Sequence, residues 1–423
     1  MNTTASDALW QRALRVIPAG TQTLSKAPSQ FVEGVSPKFL RRGCGSHVWD
    51  VDGNEYIDYP MALGPILLGY DYPAVTAAAT EQMREGTTFT LMHPLEVEVA
   101  ELLVELVPCA ELVRFAKNGA DATAGAIRAA RALTGREHVI ATGYHGYHDW
   151  YIASTERNAG VPVANRSLIH TVPFNDLETL ERELGARQVA AVIMEIPGDD
   201  PRPGYLRGAL ELAHSHGALF VLDEVVTGFR YARGGAQELF GFVPDFACLG
   251  KGMANGYPLA AVVGREHAMR AFENIFFSTT YGGETISLAA AMATLETLRR
   301  EPVIEHIWAQ GELLRTGIER LIASVSFDVE LVGNPPRSGF SFLERDQRIS
   351  SLLRGLFLQE CHRRGVLFGG PVFPTYSHCE QDIRRTLEVI EAAFERMEFA
   401  YREGSLEAHM LGTPPGVVFR SIR

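Results

Sequence analysis

Apolar runs rich in β-branched residues alternate with helical stretches between about residues 60 and 300. Continuous apolar strands of this kind are typical of a mostly parallel sheet with helices on both faces, because each strand is buried on both sides. The sequence therefore predicts an α/β fold built on one large sheet. The predicted strands are Leu112–Ala116, Val139–Thr142, Leu168–Val172, Val189–Glu195, Leu219–Asp223 and Phe246–Leu249. The predicted helices include Ala8–Val16, Ala120–Leu133, Arg207–His216 and Gln381–Tyr401.

The two ends of the chain follow other patterns. Residues 1–60 are predicted to form an N-terminal arm and a hairpin, whose strands flank the turn at Asp52-Gly53. Residues 61–300 form the large domain in this interpretation. Residues 301–423 form a smaller α+β domain, to which the N-terminal arm and hairpin also belong.

Composition and charge exclude several classes of protein. With 46% hydrophobic and 21% charged residues the chain is an ordinary globular protein. Its net charge of −12 lacks the basic excess of a nucleic-acid binder, so we expect no nucleic-acid partner. No apolar run approaches the ~18 residues of a membrane helix, and no signal peptide is recognisable. Five scattered cysteines without a CxxC pair favour reduced thiols and a cytoplasmic location.

Two motif-like patterns fail on spacing. His145, His148 and Asp149 have a helical spacing at which a metal could bind, but they do not supply three well-placed ligands. A turn with ordinary polar contacts is therefore favoured, and no metal is predicted. Lys251 is not a P-loop lysine, because Gly252 stands where a Ser or Thr would bind magnesium.

Residues that follow the predicted strands are the main candidates for a binding site, because parallel sheets bind ligands at the carboxyl ends of their strands. Asn118, Gly119 and Ala120 open a helix of small residues, which indicates either a phosphate cradle or an ordinary helix cap. Tyr144 stands between glycines, where it could stack on a flat ligand or cover the core. Glu195 closes an apolar run and is either a semi-buried site residue or a helix-capping carboxylate.

Two acids and a lysine carry the stronger signal. Asp223 and Glu224 directly follow a fully apolar strand, and a buried carboxylate needs a partner. A pyridinium nitrogen and Arg230 are both candidates, and a structural ion pair is more plausible for Glu224 than for Asp223. Lys251, flanked by glycines at the end of the next strand, is either a surface lysine or a nucleophile that forms a Schiff base. A phosphate cradle, a stacking aromatic, a buried acid and this lysine together match the needs of pyridoxal phosphate.

The chain also resembles a known family over nearly its whole length. It looks like the class III, fold-type I aminotransferases, and within them most like the glutamate-1-semialdehyde aminomutase branch. The resemblance implies a fold-type I transferase that uses pyridoxal 5′-phosphate. The segments that carry it are Trp49–Gly53, Gly64–Gly69, Tyr144–Gly146, Asp223–Arg230 and Thr280–Thr285.

The resemblance implies roles for the residues that would surround the cofactor ring. Lys251 would form the internal aldimine and later shuttle the proton. Asp223 would pair with the pyridinium nitrogen. Val225 would pack against one face of the ring and Tyr144 against the other.

It also implies roles around the cofactor phosphate. Asn118, Gly119 and Ala120 occupy the family's phosphate-binding Ser-Gly-Thr positions, although Ala120 has lost the hydroxyl. Thr280 would reach the phosphate of the neighbouring subunit, which implies a homodimer with its active site at the subunit interface. Glu195 matches a glutamate of the family whose role does not follow from the sequence.

Two residues are predicted to contact the substrate. Lys26 stands where the aminomutase branch uses an arginine for the substrate carboxylate, and a lysine offers no bidentate fork. His145 is the second residue that is predicted to contact the substrate. We therefore expect an aminotransferase that moves an amino group from an amino donor to a carbonyl acceptor by a ping-pong mechanism. The alternative is an intramolecular aminomutase that uses the same residues.

Overall fold

The computed structural model describes residues 2–198 and 200–416. These residues form two compact units. The smaller unit comprises residues 2–63, 68–72 and 305–416, and the larger unit comprises residues 64–67, 73–198 and 200–304. Among the described residues, none of the helices combines the length and the apolar character that a membrane span requires.

Strands and helices alternate along most of the described chain. The strands are β1 Leu40–Cys44, β2 His47–Asp50, β3 Glu55–Asp58, β4 Leu112–Ala116, β5 His138–Thr142, β6 Ile169–Thr171, β7 Val189–Glu195, β8 Leu219–Asp223, β9 Phe246–Leu249, β10 Ala260–Gly264, β11 Val329–Asn334, β12 Arg337–Phe342 and β13 Val366–Leu367. The α-helices are α1 Thr4–Val16, α2 Pro73–Glu85, α3 Pro94–Leu106, α4 Gly119–Thr134, α5 Asp149–Ile152, α6 Val163–Arg166, α7 Leu177–Gly185, α8 Tyr205–Ser215, α9 Ala236–Phe240, α10 Glu266–Met269, α11 Thr285–Arg300, α12 Val303–Ile322, α13 Gln347–Arg363, α14 Glu380–Arg402 and α15 Leu406–His409. Short 3₁₀ helices cover Pro18–Gly20, Leu24–Lys26, Pro28–Gln30, Met61–Leu63, Lys251–Ala254 and Arg270–Glu273.

The larger unit is built on a seven-stranded sheet in the order β4-β10-β9-β8-β7-β5-β6. Neighbouring strands from β9 to β6 pair in parallel, as the apolar runs predict. β10 is antiparallel to both β4 and β9 and was not among the predicted strands. It follows that β4 points the same way as the parallel strands, so the carboxyl ends of all six lie at one edge of the sheet.

Helix α4 packs against this sheet through small side chains. Ala122, Ala126 and Ala130 are fully buried there, in one core with strand residues such as Val221 and Val262. Small residues bring the helix axis close to the sheet, and alanine also has the highest helix propensity. The first turn of α4 is thereby fixed beside the strand ends.

The smaller unit contains the predicted hairpin, observed as β2 and β3 about the Asp52-Gly53 turn. The Asp50 carboxylate accepts the N–H groups of Asp52 at 3.0 Å and Asn54 at 2.8 Å, which fixes this turn. β1 and β13 extend the hairpin into a four-stranded sheet. A second apolar core, which includes Tyr59 and Phe357, lies under the helices of this unit.

Candidate active site

The strand register brings the predicted acid and lysine to the same edge of the sheet. Asp223, the last residue of β8, pairs with Glu195 on one side and with Cys248 on the other. Lys251 follows Cys248 by three residues, just past the end of β9. Asp223 and Lys251 therefore leave neighbouring parallel strands at their carboxyl ends, where sheets of this kind bind ligands.

Val225 lies between the start of α4 and the residue that precedes the lysine. A Cβ atom added to Gly119 would lie 2.8 Å from Val225 Cγ2, and one added to Gly250 would lie 3.5 Å from Val225 Cγ1. The absence of a side chain at Gly119 is therefore what lets the first turn of α4 approach Val225.

The first turn of α4 combines the two interpretations that the sequence left open. Asn118 is the N-cap residue, and its Oδ1 accepts the Asp121 N–H at 3.0 Å. The N–H groups of Gly119 and Ala120 donate to no group in the part of the chain that the structure describes. A capped helix that still presents two N–H groups and the positive end of its dipole suits an anion such as a phosphate.

The loop after β5 lies directly on this helix turn. Gly146 has a φ of +100°, and a Cβ atom there would lie 2.4 Å from Ala120 Cβ. Thr123 Oγ1 donates to the His145 carbonyl at 2.8 Å and fastens the loop to α4. Gly146 is therefore required both by its backbone conformation and by the close approach to Ala120.

Asp223 is buried, with 4% of its surface exposed, and His145 is its partner. His145 Nδ1 lies 2.8 Å from Asp223 Oδ2, while His145 Nε2 donates to the Thr142 carbonyl at 3.0 Å. Because that carbonyl only accepts, Nε2 is the donor in this contact. The Val225 N–H donates to the other carboxylate oxygen at 3.1 Å.

These contacts change the interpretation of His145. The residue was predicted to contact the substrate, but it is 1% exposed and both ring nitrogens face groups of the protein. It lies behind Asp223, a position that the sequence did not predict.

Tyr144 is half exposed, and its backbone N–H donates to Glu195 Oε2 at 3.1 Å. This contact, which the sequence did not reveal, fixes the Tyr144 backbone against Glu195. Tyr151 was missed by the sequence analysis: its hydroxyl donates to the Gly143 carbonyl at 2.7 Å, and its ring meets Tyr144 edge-on with centroids 5.6 Å apart. The aromatic run from Tyr144 to Tyr151 was the available signal. Burial raises the pKa of Tyr151, so its hydroxyl stays a donor.

Glu224 is a structural residue. Its carboxylate accepts the N–H groups of Ala236 at 2.9 Å and Gln237 at 3.0 Å, and it also accepts the Thr227 hydroxyl. Burial raises its pKa, and these hydrogen bonds oppose that rise. Arg230, the other candidate partner for the acids, donates to the carbonyls of Gly64 and Ile66.

The remaining predicted residues lie on the surface of their units. Thr280 is exposed in the loop before α11, and this loop is tied to the end of β4 by an ion pair of 3.0 Å between Lys117 Nζ and Glu284 Oε2. Lys26 belongs to the smaller unit, where it is exposed at the end of a 3₁₀ helix.

Comparison with known proteins identifies the family of this site. Residues 31–394 match the family described as aminotransferase class-III. This chain belongs to the class III aminotransferases. It is therefore an enzyme of fold type I that uses pyridoxal 5′-phosphate and transfers an amino group between small molecules.

Named relatives cover almost the whole length of this class III aminotransferase. It is 33% identical to the 3-aminobutyryl-CoA aminotransferase of Cloacimonas acidaminovorans, covering 93% of this chain and 97% of the relative. It is also 33% identical to the glutamate-1-semialdehyde 2,1-aminomutase of Syntrophobacter fumaroxidans, covering 93% and 98%. The structure of the FumI protein of Sphingopyxis sp. MTA144, in its PLP internal aldimine form, matches with a TM-score of 0.89 at 30% identity, covering 97% of this chain and 99% of that one.

The strand-end residues of this chain fit the family's cofactor. The cofactor's phosphate needs hydrogen-bond donors, and the first turn of α4 presents two N–H groups of that kind. Its ring nitrogen needs a carboxylate, and Asp223 is a buried carboxylate at the same edge of the sheet.

Proposed function

We propose that Lys251 and Asp223 are the catalytic residues of this aminotransferase and that they act on two separate substrates, an amino donor and a carbonyl acceptor. The observation that carries the assignment is the buried Asp223 carboxylate, backed by His145 and placed at the same sheet edge as Lys251. Bound pyridoxal phosphate supplies an electron sink for the carbon that carries the amino group. The residues of this chain have to bind it, orient it and move one proton.

The roles of the side chains follow from their places. The Lys251 amine would hold the cofactor through its aldehyde group and would act as the base that moves the proton between the carbon atoms of donor and cofactor. Asp223 would keep a proton on the ring nitrogen, because a buried carboxylate that is tightly held favours a cation beside it. Val225 would pack against one face of the ring and Tyr144 against the other. Asn118, Gly119 and Ala120 would hold the phosphate, chiefly through backbone N–H groups.

We also propose that the enzyme is a homodimer in which Thr280 reaches the phosphate of the second copy. Large apolar side chains are exposed on the larger unit, which supports a partner surface of the same chain. They include Phe89, Leu91, Met92, Phe276 and Tyr281, and Tyr281 follows Thr280 directly. Light scattering on the purified enzyme should give twice the chain mass of 46.5 kDa. A mass of one chain contradicts the proposal.

The next question is which class of amino donor the enzyme uses. The 3-aminobutyryl-CoA aminotransferase relative supports a donor with its amino group on carbon 3 of an acyl chain. A panel of 3-amino acids, their thioesters and 2-amino acids, each added alone to the cofactor-loaded enzyme, tests this. Conversion of the visible cofactor band with release of a carbonyl product supports transfer between two substrates, and the most active class identifies the donor.

The aminomutase relative favours one second candidate, an intramolecular amino transfer. Lys26 argues against it, because the branch that this chain resembles uses an arginine at that position. If no donor alone releases a carbonyl product and only an amino-carbonyl compound is rearranged, the mutase is the correct assignment.

We place the enzyme in the cytoplasm. All five cysteines are free thiols, and Cys44 and Cys379 are exposed. Exposed free thiols are typical of a reducing compartment. Fractionation of the cells that make the protein tests this, and recovery outside the cytoplasm contradicts it.

A further inference from the structure

Lys251 holds an unfavourable backbone conformation. Its φ is +37°, in the left-handed region that residues with side chains rarely adopt. Four residues later Asn255 has a φ of +45°, where asparagine is better tolerated. A turn of this shape persists only when its surroundings fix it, so the contacts around it matter for where the lysine side chain begins.

Residues 64–67 supply such contacts. The Leu67 N–H donates to Asn255 Oδ1 at 2.9 Å. Leu67 is fully buried, and a Cβ atom on Gly252 would lie 3.5 Å from Leu67 Cδ2. This segment therefore packs against the residue that follows the lysine and bonds to the residue that ends its turn.

The same four residues are tied to the segment that follows Asp223. Arg230 is 1% exposed, and its Nη2 donates to the Gly64 carbonyl at 3.2 Å and to the Ile66 carbonyl at 3.3 Å. A guanidinium that spans two carbonyls fixes the backbone between them. One short segment is thus bonded to the chain that leaves β8 and to the chain that leaves β9.

We propose that residues 64–67 form a clamp that fixes Lys251 relative to Asp223, with Arg230 and Asn255 as its positioning residues. The clamp rests on the proposed role of Lys251. Neither Arg230 nor Asn255 is a catalytic residue in this proposal, because each acts through the backbone of the clamp. Loss of the clamp would displace the Lys251 amine from the cofactor aldehyde.

Two substitutions test the clamp, each with a matched control from the same chain. Asn255→Ala removes the acceptor for Leu67. Its control is Asn175→Ala, because Asn175 has a φ of +65° and its Oδ1 likewise accepts a distant N–H, that of Arg202, at 2.7 Å. Arg230→Lys removes the two-carbonyl contact. Its control is Arg136→Lys, because Arg136 spans the carbonyls of Val189 and His216 next to the opposite ends of the strands.

The readouts are the pH midpoint of the visible cofactor band, the cofactor dissociation constant and the rate of borohydride trapping at residue 251. We expect both clamp variants to shift the midpoint, to bind the cofactor about tenfold more weakly and to trap about tenfold more slowly, as the loss of one buried hydrogen bond predicts. We expect both controls to leave all three unchanged. Asn255→Asp keeps the acceptor and should restore trapping.

Two results overturn the clamp. One is an equal change in the clamp variants and the controls, and the other is loss of folding in both clamp variants while the controls fold. If the unsubstituted enzyme itself shows no trapping at Lys251, the proposed role of the lysine fails before the clamp is tested.

Discussion

His145 joins the end of β5 to the acid at the end of β8, because its ring nitrogens lie 2.8 Å from Asp223 Oδ2 and 3.0 Å from the Thr142 carbonyl. The ring is buried, so water does not compete for either contact. Asp223 is therefore held in one position by His145. In the proposed site this carboxylate would face the ring nitrogen of the cofactor.

Replacing His145 with Phe should weaken the hold of Asp223 on the cofactor while the fold persists. A hydrogen bond to a charged group contributes about 1.5–3 kcal/mol, so we expect the rate constant of the half-reaction with the amino donor to fall about 10- to 100-fold. His145→Gln keeps a donor toward Asp223 and should lose less. Single-turnover kinetics with one amino donor measure both variants. If His145→Phe retains full activity, Asp223 does not depend on this contact.

Replacing Glu224 with Gln should reduce stability without changing the cofactor site. In the unsubstituted protein the N–H groups of Ala236 and Gln237 donate to the Glu224 carboxylate. The glutamine amide would place another donor against them. An unmet buried group of this kind costs about 1–3 kcal/mol. Urea unfolding measures the loss, and the visible band of the loaded enzyme is the control. An altered band at unchanged stability would place Glu224 in the cofactor site instead.

Replacing Gly146 with Ala should specifically damage the proposed phosphate cradle at the first turn of α4. The new Cβ atom would lie 2.4 Å from Ala120 Cβ, so the first turn of α4 has to move. Overpacking costs about 1–3 kcal/mol, and we expect cofactor binding to weaken by a matching factor. Gly204→Ala is the control, because Gly204 has a φ of +79° with no atom within 4 Å of the added Cβ. Equal cofactor affinity in the two variants contradicts the cradle.

The smaller unit should show a pH-dependent contribution from His47. Its ring bonds Asp382 at 3.1 Å on α14 and Glu55 at 2.8 Å on β3. The hydrogen bond to Asp382 raises the pKa of His47 above its ordinary value of 6.5, although burial opposes this. Burial raises the pKa of Asp382, but hydrogen bonds from His47 and Ser46 outweigh it and hold that pKa below its ordinary 3.8.

The sign of the effect follows from these shifts. A histidine whose pKa is raised on folding contributes its full stabilisation of the folded state below pH 6.5, and this contribution is lost as the pH rises through the pKa of the folded state. A carboxyl group whose pKa is lowered on folding stabilises the folded state above pH 3.8, and this contribution is lost as the pH falls through the pKa of the folded state. His47→Gln should therefore cost about 1 kcal/mol or less near pH 6, and less still near pH 9. Urea unfolding at both pH values checks this, with His216→Gln as a control. A loss that grows toward pH 9 contradicts it.

The sequence was sufficient to place Asp223 and Lys251 at one edge of the sheet, because this inference does not depend on the order of the strands. Asp223 and Lys251 each follow an apolar run, and parallel strands place all such positions at one edge whichever strands are neighbours. The strand Ala260–Gly264 was not predicted. An apolar run alone does not show whether its strand is parallel or antiparallel, so its direction becomes visible only in the structure.

Contacts between distant residues were the other gap. His145 finds its partner 78 residues away in Asp223, and no local spacing encodes that pairing. Arg230 was considered a partner of the nearby acids because they are close in sequence. Among its hydrogen bonds are two to carbonyls more than 160 residues away in the chain, at Gly64 and Ile66. Backbone carbonyls carry no sequence signal, so a buried arginine that binds them is visible only in the structure.

Borohydride reduction of the cofactor-loaded enzyme, followed by peptide mapping, tests the central claim most directly. The chain has four lysines, at positions 26, 38, 117 and 251, so the assignment is unambiguous. We predict that the reduced cofactor is attached to Lys251 alone and that Lys251→Ala loses both the attachment and the visible band. Attachment to Lys26, Lys38 or Lys117, or an unchanged band in Lys251→Ala, would contradict the account.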